Sequence, residues 1–183
     1  MLRTDSARAE WLRSVLEIYE APLVRYAFRI VRNLEGARDV VQDTFLRLCR
    51  EKDLSRVRDH IAPWLFTVCR NRAFDVRRKE ARAASLDKGE TEAHPAQGPQ
   101  HSVMLEQREV FNQLMELLEM LPENQQEVIR LKFQNDLSYR EISSVTGLSV
   151  SNVGFLIHTG LKTIRQSLKS EPSLTRQSLR RVK

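Results

Sequence analysis

The chain has 183 residues, with 30 Lys and Arg against 24 Asp and Glu, a formal charge of +6, and hydrophobic residues at 41%. That length holds one medium domain or two small ones, and that apolar fraction excludes a wholly disordered chain. With only 6 Gly and 6 Pro beside plentiful Leu, Arg, Glu and Ala, the composition favours helices over a loop-rich β fold, so we expect an all-α protein.

Taken in chain order, apolar residues recur at helical spacing through Leu12, Val15, Leu16, Tyr19, Leu23, Tyr26, Ala27, Ile30 and Val31. This predicts a first helix over residues 10–32, with Pro22 marking a break or a first turn. A second helix is predicted to start after Asn33, Leu34, Glu35 and Gly36 and to run to about Lys52. A short charged connection, residues 53–59, leads to a third long helix over residues 61–82. We draw the core of this first domain, residues 10–82, from Leu16, Leu23, Ala27, Ile30, Val41, Phe45, Leu48, Leu65, Val68 and Val76.

Residues 83–103 turn to Ser, Asp, Gly, Glu, His, Pro and Gln, with Leu86 almost the only large apolar side chain. Such a stretch cannot bury enough surface to offset its ordering entropy, and reads as a flexible linker. Helical periodicity resumes with Leu105, Val110, Leu114, Leu117 and Leu118, stops at Leu121 and Pro122, and continues through Val128, Leu131 and Phe133. Residues 104–169 are expected to form a second helical domain, followed by a frayed, basic tail, residues 170–183.

Charge is unevenly spread. Residues 1–82 carry 18 basic and 12 acidic side chains and residues 142–183 carry 7 and 1, whereas residues 104–141 carry 4 and 8. Two separate positive regions suit a chain that touches a polyanion at two points. Charge alone fits equally well a set of basic side chains that only solvate helix faces.

The most specific local signal lies in the second domain. Ser138 and Glu141 stand three apart at the head of an apolar-periodic stretch, the spacing of a capping box. Gly147 follows Ile142 and Val145 where a sharp turn requires positive φ, Leu148 plugs the corner, and Ser149 is placed to cap the next helix. This is the grammar of a helix-turn-helix. On its second helix Val153, Leu156, Ile157, Leu161, Ile164 and Leu168 form the expected buried stripe. Ser149, Val150, Ser151, Asn152, Phe155, His158, Thr159 and Lys162 then face outward, where a DNA major groove would meet them. Asn pairs bidentately with adenine, Ser donates or accepts, and an apolar edge fits a thymine methyl. Lys162, Arg165 and Lys169 suit flanking phosphates. Gly154 and Gly160 each weaken the helix by about 1 kcal/mol relative to Ala, which points to close packing against a neighbouring helix or against DNA. A helical hairpin with a solvated face is the plainer alternative.

In the first domain Asp39, Gln42, Asp43 and Leu46 recur at i, i+3, i+4 and i+7, a strip opposite Val41, Phe45 and Leu48. An acidic strip on a basic domain would repel DNA and attract a basic protein surface. On the third helix Ile61, Leu65, Val68 and Val76 are assigned inward, while Thr67, Arg70, Asn71, Phe74, Arg77 and Arg78 cover another sector. Cations interleaved with an aromatic and an amide are the kit for holding a single strand. Trp64 lies between the two sectors and is either a core anchor, the reading we favour, or a wedge against a base pair. Residues 53–60, with Ser55, Arg56, Arg58 and His60, precede this face and could form a pocket for an extruded base.

Two cysteines, Cys49 and Cys69, are too few and too far apart for a zinc site or a disulfide framework, and read as reduced, half-buried thiols of a cytoplasmic protein. No signal-peptide pattern and no run of about 18 apolar residues occurs, so neither export nor membrane insertion is expected. No metal-ligand cluster, nucleophile with a spaced base, or phosphate-cradling glycine loop is present, and His60, His94, His101 and His158 are scattered. Neither an enzyme nor a cofactor is expected.

Several segments together resemble a known family: Tyr26, Ala27, Phe28, Arg29 and Ile30; the run from Asp39 through Gln42, Asp43 and Phe45 to Leu48; the run from Pro63 and Trp64 through Asn71 and Arg72 to Asp75; Leu121, Pro122 and Glu123; and Leu137, Ser138, Tyr139, Arg140, Glu141 and Ile142. In this order and spacing, over residues 10–168, they are similar to the extracytoplasmic-function group of bacterial RNA polymerase sigma factors. The resemblance implies a first domain that binds the clamp helices of the polymerase β′ subunit, melts promoter DNA near minus ten and captures unpaired bases. It implies a second domain that reads the minus-thirty-five element and contacts the β flap. Asp39, Gln42 and Asp43 would dock on core polymerase, residues 53–60 with Asn71 and Arg72 would handle the melted strand, and residues 149–162 would read the upstream duplex. An anti-sigma factor that clamps both domains is a further partner of many members. The chain departs from the family where Lys or Arg is usual and Gly154, Leu156, Thr159 and Leu161 stand instead, which implies weaker phosphate anchoring and leaves promoter choice open. A stand-alone helix-turn-helix regulator is the main alternative, though it leaves the acidic strip and the basic third helix without a purpose.

Overall fold

A computed structural model of the chain describes the backbone of residues 2–86 and 105–170, and the side chains of residues 6–83 and 111–169. The chain divides into two compact units. The first holds α1 (Leu2–Val31), α2 (Leu34–Arg50), α3 (Ser55–Arg58) and α4 (Ile61–Leu86); the second holds α5 (Leu105–Glu119), α6 (Glu123–Phe133), α7 (Tyr139–Thr146) and α8 (Val150–Ser170). Among the described residues there is no strand, and the all-α expectation holds. The greater part of the expected linker and the basic tail lie outside the described residues.

In the first unit α1 packs on α2 and α4, and α2 packs on α4. Ala27, Ala37 and Ala73 are fully buried where these helices meet, small enough to let the backbones approach, and Leu23, Val40, Leu48 and Leu65 fill the remaining space. Tyr26 and Phe66 meet edge to face with ring centroids 5.2 Å apart, an arrangement favoured by the ring quadrupole. The expected core is correct in its centre and wrong at its edges. Leu16 is 39% exposed while its neighbour Val15 is buried, and on α4 the buried face runs through Leu65, Phe66, Cys69 and Ala73, leaving Val68 and Val76 half-buried. Phe45 and Trp64 are also half-buried. The inward face of α4 is therefore turned by about one residue from the expected one.

Three boundaries also differ. Pro22 breaks nothing: α1 runs through it. The missing N–H and ring clash cost about 3 kcal/mol in a helix interior, offset here by the burial of Val15 before it and of Leu23, Tyr26 and Ala27 after it. α2 starts earlier than expected because the Asn33 side chain accepts the Glu35 N–H at 3.0 Å and caps it, an ordinary N-cap role for Asn. α4 continues to Leu86, past the expected end at residue 82. Neither cysteine is half-buried: Cys49 is exposed and Cys69 wholly buried. Burial pushes the Cys69 thiol up to about 12.

In the second unit α8 packs on α5, α6 and α7. Val128, Leu131, Leu137, Ile142 and Val153 are fully buried. The expected close approach is found at Gly160, where a Cβ would lie 2.6 Å from Ile129 Cδ1 and 3.2 Å from Leu121 Cδ1. At Gly154 the neighbour is the Tyr139 ring at 3.5 Å, an ordinary contact. Leu161 is only half-buried and Leu168 is 36% exposed, so the buried stripe of α8 is shorter than its apolar pattern; Phe133, at the end of α6, is 59% exposed.

Candidate nucleic-acid interface

The helix-turn-helix is assembled almost wholly from contacts between near neighbours in sequence. Ser138 Oγ accepts the Glu141 N–H at 3.3 Å, and Glu141 Oε2 accepts the Ser138 N–H at 2.7 Å, closing the capping box at the head of α7. Gly147 adopts φ 76° at the other end. That is left-handed backbone, which any side chain would strain. Across the turn the Ser143 hydroxyl donates to the Leu148 carbonyl, and the Thr146 hydroxyl accepts the Leu148 N–H at 3.3 Å. Ser149 Oγ then accepts the Asn152 N–H at 3.2 Å and starts α8.

These locks set the rotation of α8. Val153, Leu156, Ile157 and Ile164 are buried, and Ser149, Val150, Ser151, Asn152, Phe155, His158 and Lys162 are exposed, with Thr159 half-buried among them. Phe155 is 65% exposed, a large apolar surface beside hydrogen-bonding side chains. Arg165 and Lys169 continue the basic edge. The missing cations have a structural reason at one position, since Leu156 is 7% exposed and belongs to the core.

In the first unit the residues assigned to a single strand fall into two groups. Arg70, Asn71, Phe74, Asp75 and Arg78 line a shallow depression on α4. The Arg70 and Arg77 guanidinium carbons lie 4.7 Å and 5.9 Å from the Phe74 ring centroid, so two cations lie within cation–π reach of the one ring. Arg78 also pairs with Asp75 at 3.4 Å. The second group surrounds α3. Asp53 accepts from the Ser55 N–H and hydroxyl and pairs with Arg56 at 3.1 Å. Its carboxyl is held below the usual range, chiefly by the Ser55 hydroxyl. Arg58 lies 5.1 Å over the Trp11 ring, and His60 is exposed.

The acidic strip is divided by the structure. Asp39, Gln42 and Leu46 line a groove between α1 and α2 together with Leu16, Val41 and Phe45, which explains why Leu16 is absent from the core. Asp43 instead binds Arg72, with Oδ2 2.7 Å from Nε. Two residues assigned to different partners thus hold each other. The sequence reading missed the apolar lining of the groove, whose signal was Leu16 and Phe45 standing at the margins of their helical stripes. It also missed Arg8 and Trp11 on α1, for which no local pattern exists.

The sigma-70 region 2 model matches residues 15–83, and the sigma-70 region 4 model matches residues 107–164. The chain belongs to the sigma-70 family. Its relatives are RNA polymerase sigma factors, several of them named as members of the extracytoplasmic-function (ECF) group. The chain is 24% identical over 168 residues to the ECF RNA polymerase sigma factor SigW of Bacillus subtilis, covering 85% of this chain and 87% of that one. It is 29% identical over 169 residues to the ECF RNA polymerase sigma factor SigL of Mycobacterium tuberculosis, covering 90% and 92%. RNA polymerase sigma factor YlaC of Bacillus subtilis is 28% identical over 154 residues, 82% of this chain and 87% of that one. Among solved structures, the sigma factor RpoE of Bartonella quintana, in complex with the anti-sigma factor NepR, shares the fold with a TM-score of 0.64, at 22% identity and over 90% of this chain and 98% of that one. The protein is an ECF sigma factor, acting with core RNA polymerase at promoter DNA. A stand-alone regulator would account for the region 4 match alone and leave residues 15–83 unexplained. No helix among the described residues is long and apolar enough to cross a membrane.

Proposed function

We propose that the two units of this sigma factor divide promoter opening between them. Residues 10–82 grip the clamp helices of the polymerase β′ subunit through Asp39, Gln42, Asp43 and Leu46. The same unit takes the unpaired strand near minus ten on Ser55, Arg56, Arg58 and His60 and on Arg70, Asn71, Arg72, Arg77 and Arg78. Residues 83–103 tether it to residues 104–169, which contact the β flap and read the minus-thirty-five duplex with Ser149, Val150, Ser151, Asn152, Phe155, His158 and Lys162. Residues 170–183 are a basic tail. The reading needs no catalytic group or cofactor, because base pairs are exchanged for protein contacts and no bond is made by this chain. It places the protein in the cytoplasm, where an anti-sigma factor would act by clamping both units.

The observation that carries the proposal is the exposed row of hydrogen-bonding, apolar and basic side chains on α8, set outward by a capping box, a left-handed glycine and a second cap. Run-off transcription with core polymerase tests it. Asn152→Ala is expected to change which upstream sequences support initiation, whereas Lys162→Ala weakens all of them alike and lowers the salt slope by about one. Identical behaviour of the two variants contradicts the assignment of this face to the groove.

A further inference from the structure

We infer that the first turns of α1 are a brace that positions residues 53–60 for the unpaired strand, with Arg8 and Trp11 as its two positioning residues. The inference rests on the reading of residues 53–60 as a strand contact. Both residues lie ahead of the region 2 match, which begins at residue 15.

Arg8 acts at the exit of α2. Its Nη2 donates to the carbonyls of Cys49 and Glu51, each at 2.9 Å. The last carbonyls of a helix have no partner within it, and a cation there also opposes the negative end of the helix dipole. α2 ends with Glu51 in extended backbone at its C-cap, so no glycine turn closes this helix. The guanidinium of a residue 41 and 43 positions away in sequence does so instead. Arg8 thereby fixes the direction in which the chain leaves α2.

Trp11 acts at the other end of the segment. It stands three residues after Arg8, on the same side of α1, and the Arg58 guanidinium lies 5.1 Å over its ring. Between the two anchors Val57 is buried at 5% exposure and ties the segment inward. A helix of four residues such as α3 cannot sustain itself, since nucleating a turn fixes several dihedral angles for one hydrogen bond. The local contacts of Asp53 with Ser55 and Arg56 are exposed. α3 is held by the buried Val57, by its packing on α4 and by Arg58 over Trp11 of α1, while Arg8 fixes the chain that leads into it. With the ends held, Ser55, Arg56 and His60 are presented outward without the cost of ordering the loop on binding.

The test compares full-chain variants in holoenzyme with core polymerase, using two promoter probes: one with the minus-ten non-template strand unpaired, and one fully duplex. Trp11→Leu and Arg8→Ala are expected to weaken binding to the unpaired probe by about three- to tenfold, while core-polymerase affinity and duplex binding stay within about twofold of wild type. Trp11→Phe, which keeps an aromatic face for Arg58, is expected to retain most of the affinity that Trp11→Leu loses. Amide hydrogen exchange over residues 51–58 should quicken in Arg8→Ala. Equal binding of all variants to the unpaired probe, while Arg56→Ala weakens it, overturns the brace and leaves the strand-contact reading intact. A loss shared equally by the unpaired probe, the duplex and polymerase, or by Trp11→Phe and Trp11→Leu, also overturns it. A wild-type holoenzyme that does not distinguish the two probes, with Arg56→Ala silent, sinks the strand-contact reading and the brace with it.

Discussion

In the second unit the hydrogen bonds that set α8 outward join residues no more than five apart, from Ser138 and Glu141 to Ser149 and Asn152. In the first unit the contacts that shape the working surface join Asp43 to Arg72 and Arg8 to Cys49 and Glu51, across 29, 41 and 43 residues. A surface built from local locks is set by its own segment. A surface built from distant pairs depends on the packing of three helices, so damage to the core of the first unit should reach its proposed polymerase and strand contacts together.

The largest effect that sharpens this contrast is Phe66→Ala. The ring is 1% exposed, and removing it should cost the first unit about 3–5 kcal/mol. Amide exchange should then rise across α1, α2 and α4 while the protection of α7 and α8 is unchanged; a rise in both units would break the distinction. Alkaline pH acts on the same core. Cys69 is raised from 9.0 to about 12 by burial, so the folded chain keeps a proton that the unfolded chain releases. Its contribution is fully present below pH 9 and is lost as pH rises toward 12, by at most about 1.4 kcal/mol per pH unit. Urea unfolding followed by the Trp fluorescence of the first unit should show this slope, and Cys69→Ala should flatten it.

Smaller effects belong to the second unit. Gly147→Ala forces a side chain into φ 76° and should cost about 1–2 kcal/mol. Ser138→Ala removes the cap and should cost about 1 kcal/mol. Both are read from hydrogen exchange of α7 and α8, and neither should move core-polymerase affinity. The smallest effect is the stability coupling between Asp43 and Arg72. Both side chains are about two-fifths exposed, at 45% and 42%, so a double-mutant cycle should give only about 0.2–1 kcal/mol. A coupling well above that range would mean that this pair, and not the apolar core, sets the register of α2 against α4.

The same contrast decides how much was legible in the sequence. The capping box, the turn glycine, the second cap and the outward set of α8 could all be read because each is a relation between near neighbours. Gly160 could be suspected of close packing, and its neighbour proved to be α6. In the first unit the order of helices was legible and their rotation was not. Helical periodicity marks an apolar arc wider than the buried one, so Leu16 was placed inside when it lines a groove, and Cys69, Ala73 and Ala37 were overlooked because small residues carry little hydrophobic signal. Pro22 misled because propensity is overridden where packing on both sides holds a helix together. The four-residue α3 has no periodicity to detect, and its anchors lie on a distant helix.

The central claim, that one unit grips polymerase while the other reads duplex DNA, is tested most directly by binding of the full chain carrying Asp39→Arg and Asp43→Arg to core polymerase and to upstream duplex. The account predicts that polymerase binding is lost while duplex affinity and the helical circular dichroism signal persist. Unchanged polymerase affinity, with the fold intact, would contradict it.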